Sequence, residues 1–219
     1  MQELIILDLD GVIIKDQSQI IFLNYLRSKK IIGLFFYFKI YIWFTFYKLG
    51  LAKSPEKVVD FAYSFLKGKK QAEIDELVHK FFIDKLREFI FSEIIDIINE
   101  HKARGREFVI ISAAVSPIVR EAANFLGIKN IICTELGIER GIFTGKILGK
   151  IIYGKNKKFV AEKFINENNF SFGNSYAYAD HISDLNLLLA VSKPCVVNPD
   201  RFLHVEAKKR NWPILIFKK

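Results

Sequence analysis

Apolar and polar positions alternate in two different periods along this chain. The first strand is read over 3–7, where Leu4 to Leu7 is a continuous apolar run, and the largely apolar runs 108–111, 130–133, 175–179, 195–198 and 214–217 read as strands too. Short apolar runs bounded by turn residues are the pattern of strands buried on both faces. Between the first and second of these runs no strand pattern occurs. Apolar residues there recur at helical spacing over 20–27, 31–47, 55–68, 72–90 and 94–101. Ser54-Pro55 supplies an N-cap and a first helical residue, and Leu49-Gly50-Leu51 interrupts the aromatic stretch before it. After residue 105 strands alternate with helices: a helix opened by Ser116-Pro117 and closed at Leu126-Gly127, a helix over 157–166, another over 182–191, and one opened by Pro199. Residues 136–148, with Glu139-Arg140-Gly141 between apolar runs, read as a hairpin. Strands separated by helices imply right-handed βαβ units and a parallel sheet covered on both sides. The expected fold class is therefore α/β, with an all-helical insertion after the first strand.

The first strand ends unusually. Leu4-Ile5-Ile6-Leu7 runs into Asp8-Leu9-Asp10-Gly11. Residues two apart on a strand share a face, so two like charges would stand side by side, which is costly without a cation or ligand. Two readings stand at this point: an Asp-Gly turn, or a pair of functional carboxylates. Later stretches decide between them. Ligands in such folds bind at the carboxyl ends of the strands. At those ends stand Ser112, then Asp180 and Asp184, with Gly154-Lys155-Asn156-Lys157-Lys158 opening a helix between them. Carboxylates, a hydroxyl and a lysine thus collect on one rim.

Composition adds bounds. The 219 residues are 51% hydrophobic and 14% aromatic, enough for one large globular domain or a core with an insertion. The net charge of +9 comes from scattered lysines, with no run of the length that reads as a nucleic-acid tail. Cys133 and Cys195 lie in apolar runs, and no Cys-x-x-Cys or metal-ligand histidine spacing occurs. Reduced, buried cysteines and no secretion signal in the N-terminal residues make a cytoplasmic location the expectation.

Taken together, Asp8-Leu9-Asp10-Gly11, Ser112, one lysine of 155–158, and Asp180-His181-Ile182-Ser183-Asp184 resemble, in order, the four motifs of the haloacid dehalogenase superfamily of phosphatases. Phe143-Thr144-Gly145-Lys146 and Val197-Asn198-Pro199-Asp200 are similar to the subfamily IB hydrolases, the phosphoserine phosphatase relatives. The resemblance implies a Rossmann-like three-layer core at 1–15 and 106–219 and an all-helical C1 cap at 16–105. It implies a Mg²⁺-dependent phosphomonoesterase acting on a small phosphate ester. Asp8 would be the nucleophile and Asp10 the general acid/base. Ser112, Ala113, Gly11 and the lysine would hold the phosphate, and Asp8, Asp10, Asp180 and Asp184 would serve the metal. The subfamily spacing Gly-x-x-Lys points from Gly154 to Lys157, with Lys155 and Lys158 as alternatives. Ile14-Lys15-Asp16-Gln17 lacks the early glutamate with which phosphoserine phosphatases hold the substrate amine, and Val12 replaces a hydroxyl residue. A phosphotransferase or mutase of the same superfamily, or a non-catalytic binding domain, are the alternatives. The aromatic stretch 31–47 is shorter than the ~20 apolar residues of a spanning helix and contains Lys39. Its first reading is a buried cap helix lining the pocket; its second is a face turned to membrane or a lipid-like substrate.

Overall fold

The structure, a computed structural model, describes residues 2–48 and 55–218. At its centre lies a seven-stranded sheet of order β4-β3-β2-β1-β5-β6-β7. The strands are β1 (Leu4–Leu7), β2 (Glu107–Val115), β3 (Asn130–Glu139), β4 (Ile142–Leu148), β5 (Ser175–Ala179), β6 (Lys193–Val197) and β7 (Ile214–Leu215). Every pairing is parallel except β3 with β4, the expected hairpin. The two-residue period sorts the side chains into two cores. Ile5, Leu7, Phe108, Ile110 and Tyr178 face one side. Leu4, Ile6, Val109, Ile111, Ala177 and Ala179 face the other. β1 is buried along its whole length, as a central parallel strand must be.

Between β1 and β2 lie α1 (Ser18–Ser28), α2 (Leu34–Lys48), α3 (Pro55–Tyr63), α4 (Gln71–Asp84) and α5 (Ser92–Ala103). After β2 follow α6 (Ser116–Leu126), α7 (Lys155–Glu167), α8 (Leu185–Leu188) and α9 (Arg201–Lys209). The helix expected over 72–90 ends at Asp84, because Lys85 departs from helical geometry (φ −142°, ψ −55°) and a separate 3₁₀ turn, Leu86–Phe89, follows. The helix expected over 182–191 is a 3₁₀ turn, Ile182–Asp184, followed by the single turn of α8. The helix expected to open at Pro199 begins two residues later, at Arg201, with Asp200 as its N-cap accepting from the N–H groups of Phe202 (2.7 Å) and Leu203 (3.0 Å). α5 rests on the sheet: Ile94 and Ile98 join the core around Ile5 and Leu7, and His101 Nε2 lies 2.8 Å from the Tyr178 hydroxyl. Cys133 and Cys195 are free and buried.

The aromatic helix α2 departs from the expectation of burial on all sides. Ile40 is buried, but Leu34, Phe38 and Ile42 are more than half exposed and Phe35 is 84% exposed. The helix packs chiefly against α1 and α3, and Leu34, Phe35, Phe38 and Ile42 form its exposed outer face. The side chains of Trp43, Phe44, Phe46 and Tyr47, the Leu49-Gly50-Leu51 break and the Ser54 cap lie outside the described residues. Among the described residues, no helix is long and apolar enough to cross a membrane.

Candidate active site

The carboxyl ends of β1, β2 and β5 and the first turn of α7 meet at one point. At the end of β1 the Asp8 N–H still donates to the Tyr178 carbonyl (3.1 Å), holding this residue in line with the sheet. Its side chain is fixed at both oxygens: Oδ1 accepts from the Leu9 N–H (2.7 Å) and Oδ2 from Lys157 Nζ (2.6 Å). The chain then turns back, with the N–H groups of Ile13 and Ile14 both donating to the Leu9 carbonyl at 2.8 Å. Asp10 Oδ1 accepts from the Ser18 N–H (2.9 Å), the first residue of α1. The second carboxylate is thus tied to the start of the helical insertion.

Gly11 is required where it stands. Its φ of +79° is a conformation that side chains disfavour. A Cβ here would also fall 2.0 Å from Asp180 Oδ2. The Asp180 carboxylate, at the end of β5, therefore packs directly on the Gly11 backbone. On β2, Ser112 is buried, and the β2–β3 register shifts between Ser112 and Val115. Ser112 Oγ accepts from the Ala114 N–H (3.1 Å). Thr134 braces this bulge, donating to the Ala113 carbonyl (2.9 Å) and accepting from the Ile152 N–H (3.2 Å).

Of the three candidate lysines, Lys155 and Lys158 are exposed and Lys157 is buried. Lys157 Nζ donates to Asp8 Oδ2 and, at 2.7 Å, to Asp184 Oδ2. Asp184, 1% exposed, also accepts from Ser183 Oγ (3.4 Å). The loop between Asp180 and Asp184 is held by Asp200, which accepts from the Ile182 N–H (2.5 Å) and donates its own N–H to the Asp180 carbonyl (2.8 Å). The structure therefore brings together Asp8, Asp10, Gly11, Ser112, Ala113, Lys157, Asp180 and Asp184. Three supports went unread in the sequence: Ser18, Thr134 and Asp200. Only Asp200 carried a local signal, an N-cap residue after Pro199 at a strand end. Ser18 and Thr134 act through tertiary contacts.

Electrostatically the site is over-supplied with negative charge. Burial raises the Asp8 carboxyl well above its usual range, Lys157 opposing and Asp184 and Asp180 adding to the rise. Burial lifts Asp10 to about 6 despite its bond from Ser18, and lifts Asp180 to about 7 against the pull of Lys157. For Lys157, burial works against the charge, but Asp8 and Asp184 outweigh it and hold the ammonium above the ordinary lysine range. One lysine thus faces four carboxylates. The remaining donors are hard oxygens, the chemistry of a hard divalent cation. Among the described residues no three Asp, Glu, His or Cys side chains form a ready-made cage. Mg²⁺ needs none, since it is held through one or two carboxylates, waters and substrate phosphate. The donor set fits such an ion.

These groups floor a cavity of about 640 Å³. Its floor is Asp8, Asp10, Ser112, Ala113, Lys157 and Asp180, and its wall comes from α1, α2 and α3.

Residues 5–189 match the family described as haloacid dehalogenase-like hydrolase. A Mycobacterium tuberculosis protein bearing the name probable phosphatase is 35% identical over 146 residues, covering 67% of this chain and 50% of that protein. A histidinol-phosphatase of Neisseria meningitidis is 36% identical over 128 residues, covering 56% of this chain and 57% of that protein. The chain spans about half the length of the curated relatives it matches. Among solved structures, a Bordetella pertussis protein of unknown function superposes with a TM-score of 0.90 at 22% identity over 98% of both chains. A phosphoserine phosphatase superposes with a TM-score of 0.69 at 16% identity, covering 100% of this chain and 94% of that one. At these identities the structural likeness speaks to the fold alone.

Proposed function

Because the chain belongs to the haloacid dehalogenase-like hydrolase family, we propose that it hydrolyses phosphate monoesters in two displacements through a phosphorylated Asp8. The observation that carries this reading is the pairing of Asp8 with a buried lysine at 2.6 Å beside a second carboxylate lifted to about 6. Asp8 attacks phosphorus and the ester P–O bond breaks. Asp10, protonated in a useful fraction of molecules near neutral pH, gives its proton to the leaving oxygen. The resulting carboxylate then takes a proton from the water that attacks the aspartyl phosphate, releasing inorganic phosphate and restoring Asp8. A carboxylate nucleophile divides a very slow hydrolysis into two easier steps. Lys157 stays protonated throughout and balances charge on Asp8 and the phosphoryl oxygens. Ser112 Oγ and the Ala113 amide hold those oxygens, and Gly11 leaves room for Asp180 beside them.

Asp8, Asp180 and the Asp10 carbonyl are the residues that would hold Mg²⁺, which when bound supplies the charge neutralisation that lets a phosphate sit among carboxylates. Asp184 spends its near oxygen on Lys157. It acts as a positioning residue, through the lysine. α1, α2 and α3, which wall the cavity, act as a cap that selects the organic group, on a small phosphorylated substrate.

The test is phosphate release from p-nitrophenyl phosphate. Turnover is expected with Mg²⁺, lost on chelation and lost in Asp8→Asn. Wild-type turnover in Asp8→Asn sinks the reading.

A further inference from the structure

The cavity above the carboxylates changes character abruptly. Its charged lining is Asp8, Asp10, Lys157 and Asp180, all on the floor. Among the described residues, no arginine or second lysine lines it to receive a substrate carboxylate, and no further carboxylate lines it to receive an ammonium. An amino-acid phosphate would bury both charges of its head unpaired, which is costly. The wall presents mainly apolar side chains, Phe22, Leu23, Ile40, Val58, Val59 and Phe65, with Gln17, Gln19, Tyr63, Tyr153, His181 and Ser183 as further polar lining. Such a wall rewards hydrocarbon.

A second observation lies on the same helix that contributes Ile40. The outer face of α2 exposes Leu34, Phe35, Phe38 and Ile42, at the spacing of one helical stripe. A contiguous exposed apolar patch of this kind marks a contact site. Lys30 and Lys39 stand exposed beside it, and the whole chain carries +9. That charge complements an anionic surface. The exposed stripe belongs to a helix apolar on nearly every side, so seating it in a bilayer interface buries Phe35 and Phe38 while the lysines beside it stay at the headgroups.

Resting on the phosphatase reading above, we propose that the substrate is an amphiphilic phosphate monoester. Its hydrocarbon part lies against the α1–α3 wall, and it is drawn from an anionic bilayer on which the outer face of α2 is seated. The reacting phosphate reaches the floor while the tail follows α2 outward.

The experiment uses the full chain with Mg²⁺. Initial rates are measured on ethyl to decyl phosphate below their micelle concentrations, with p-nitrophenyl phosphate as a reference and phosphoserine and histidinol phosphate as polar comparators. Flotation is measured with phosphatidylglycerol and with phosphatidylcholine vesicles. The expected result is a kcat/KM that climbs roughly threefold per added methylene until the cavity is filled, with the polar comparators far slower. Val59→Gln flattens that climb, and its thermal midpoint reports whether it is folded. The protein floats with phosphatidylglycerol vesicles and not with phosphatidylcholine, and Phe35→Ser combined with Phe38→Ser removes most of the flotation. A flat chain-length series with p-nitrophenyl phosphate still turned over overturns the substrate class and leaves the phosphatase reading standing. No turnover of any ester removes both. A steep series without flotation overturns the bilayer seat. So does a dimer that Phe35→Ser dissociates, which assigns the face to a second copy.

Discussion

On the floor of the cavity the titratable groups are tied down at hydrogen-bond distance. Asp8 is held by Lys157 and the Leu9 amide, Asp10 by the Ser18 amide, and Lys157 by two carboxylates at once. The wall meets the same space mainly with Phe22, Leu23, Ile40 and Val58, and its polar pair on α1 and α3, Gln19 and Tyr63, is satisfied internally, the Tyr63 hydroxyl donating to Gln19 Oε1 (3.0 Å). A floor of this kind has one working geometry, because charge stabilisation depends on preorganised contacts. A wall of this kind tolerates exchange of one apolar group for another at modest cost. The chemistry and the choice of organic group are therefore separable by mutation.

The strongest way to break that contrast is at the nucleophile. Asp8→Asn is expected to lower kcat on p-nitrophenyl phosphate on the order of 10⁴-fold or more, whereas Leu23→Met on the wall leaves it within a few-fold. Next is the lysine: Lys157→Ala costs roughly 10²- to 10³-fold in kcat, with Lys155→Ala and Lys158→Ala near wild type. Its thermal midpoint also falls, since Asp8 and Asp184 lose their shared cation. A similar rate loss at Lys155 or Lys158 would remove Lys157 from the site. Third, Gly11→Ala forces its Cβ onto Asp180 Oδ2. The expected loss is about tenfold to a hundredfold in divalent-cation affinity, read by titrating Mg²⁺ against rate.

The smallest effect lies outside both regions, at His101. Burial, with Arg106 adding, pushes this imidazole down to about 4. Arg106 donates to Nδ1 (2.7 Å), so Nε2 carries the proton toward Tyr178. The unfolded chain takes up a proton first, near the ordinary value of about 6.5. Its contribution to stability is thus full above that pH and is lost as pH falls toward 4. Denaturant midpoints measured from pH 7 to pH 4 should decline less steeply in His101→Gln than in wild type. Equal slopes would remove His101 from this account.

How much of this could be read from the sequence follows from the range of each interaction. β1 and the carboxylates after it were legible because a strand-length apolar run ending in Asp-x-Asp-Gly is a local signal. The sheet covered on both faces was legible because its central strands are unbroken apolar runs rather than alternating ones. Lys157 could be preferred over Lys155 and Lys158 only through the Gly-x-x-Lys pattern that the resemblance implies, and its burial depends on how α7 lies against β1. The continuation of β2 through Ser112 to Val115 rests on Thr134, a strand away. The exposure of one face of α2 stood in the sequence only as the second of two readings. A helix apolar on every side looks the same in sequence whether three neighbours cover it or two.

The central position of β1 carries a consequence for how the molecule comes together. Leu4 is paired with Glu107 on one side and Ser175 on the other, and both partners follow it far along the chain. Pairing of this kind closes long loops before it is rewarded, so folding should be slow for a chain of this size. Until β2 and β5 arrive, Leu4-Ile5-Ile6-Leu7 is an uncovered, β-prone segment of the sort that associates with its own kind. The strand that carries the nucleophile thus waits for two distant partners, and a chain lacking β5 would lack the Tyr178 carbonyl on which Asp8 is seated.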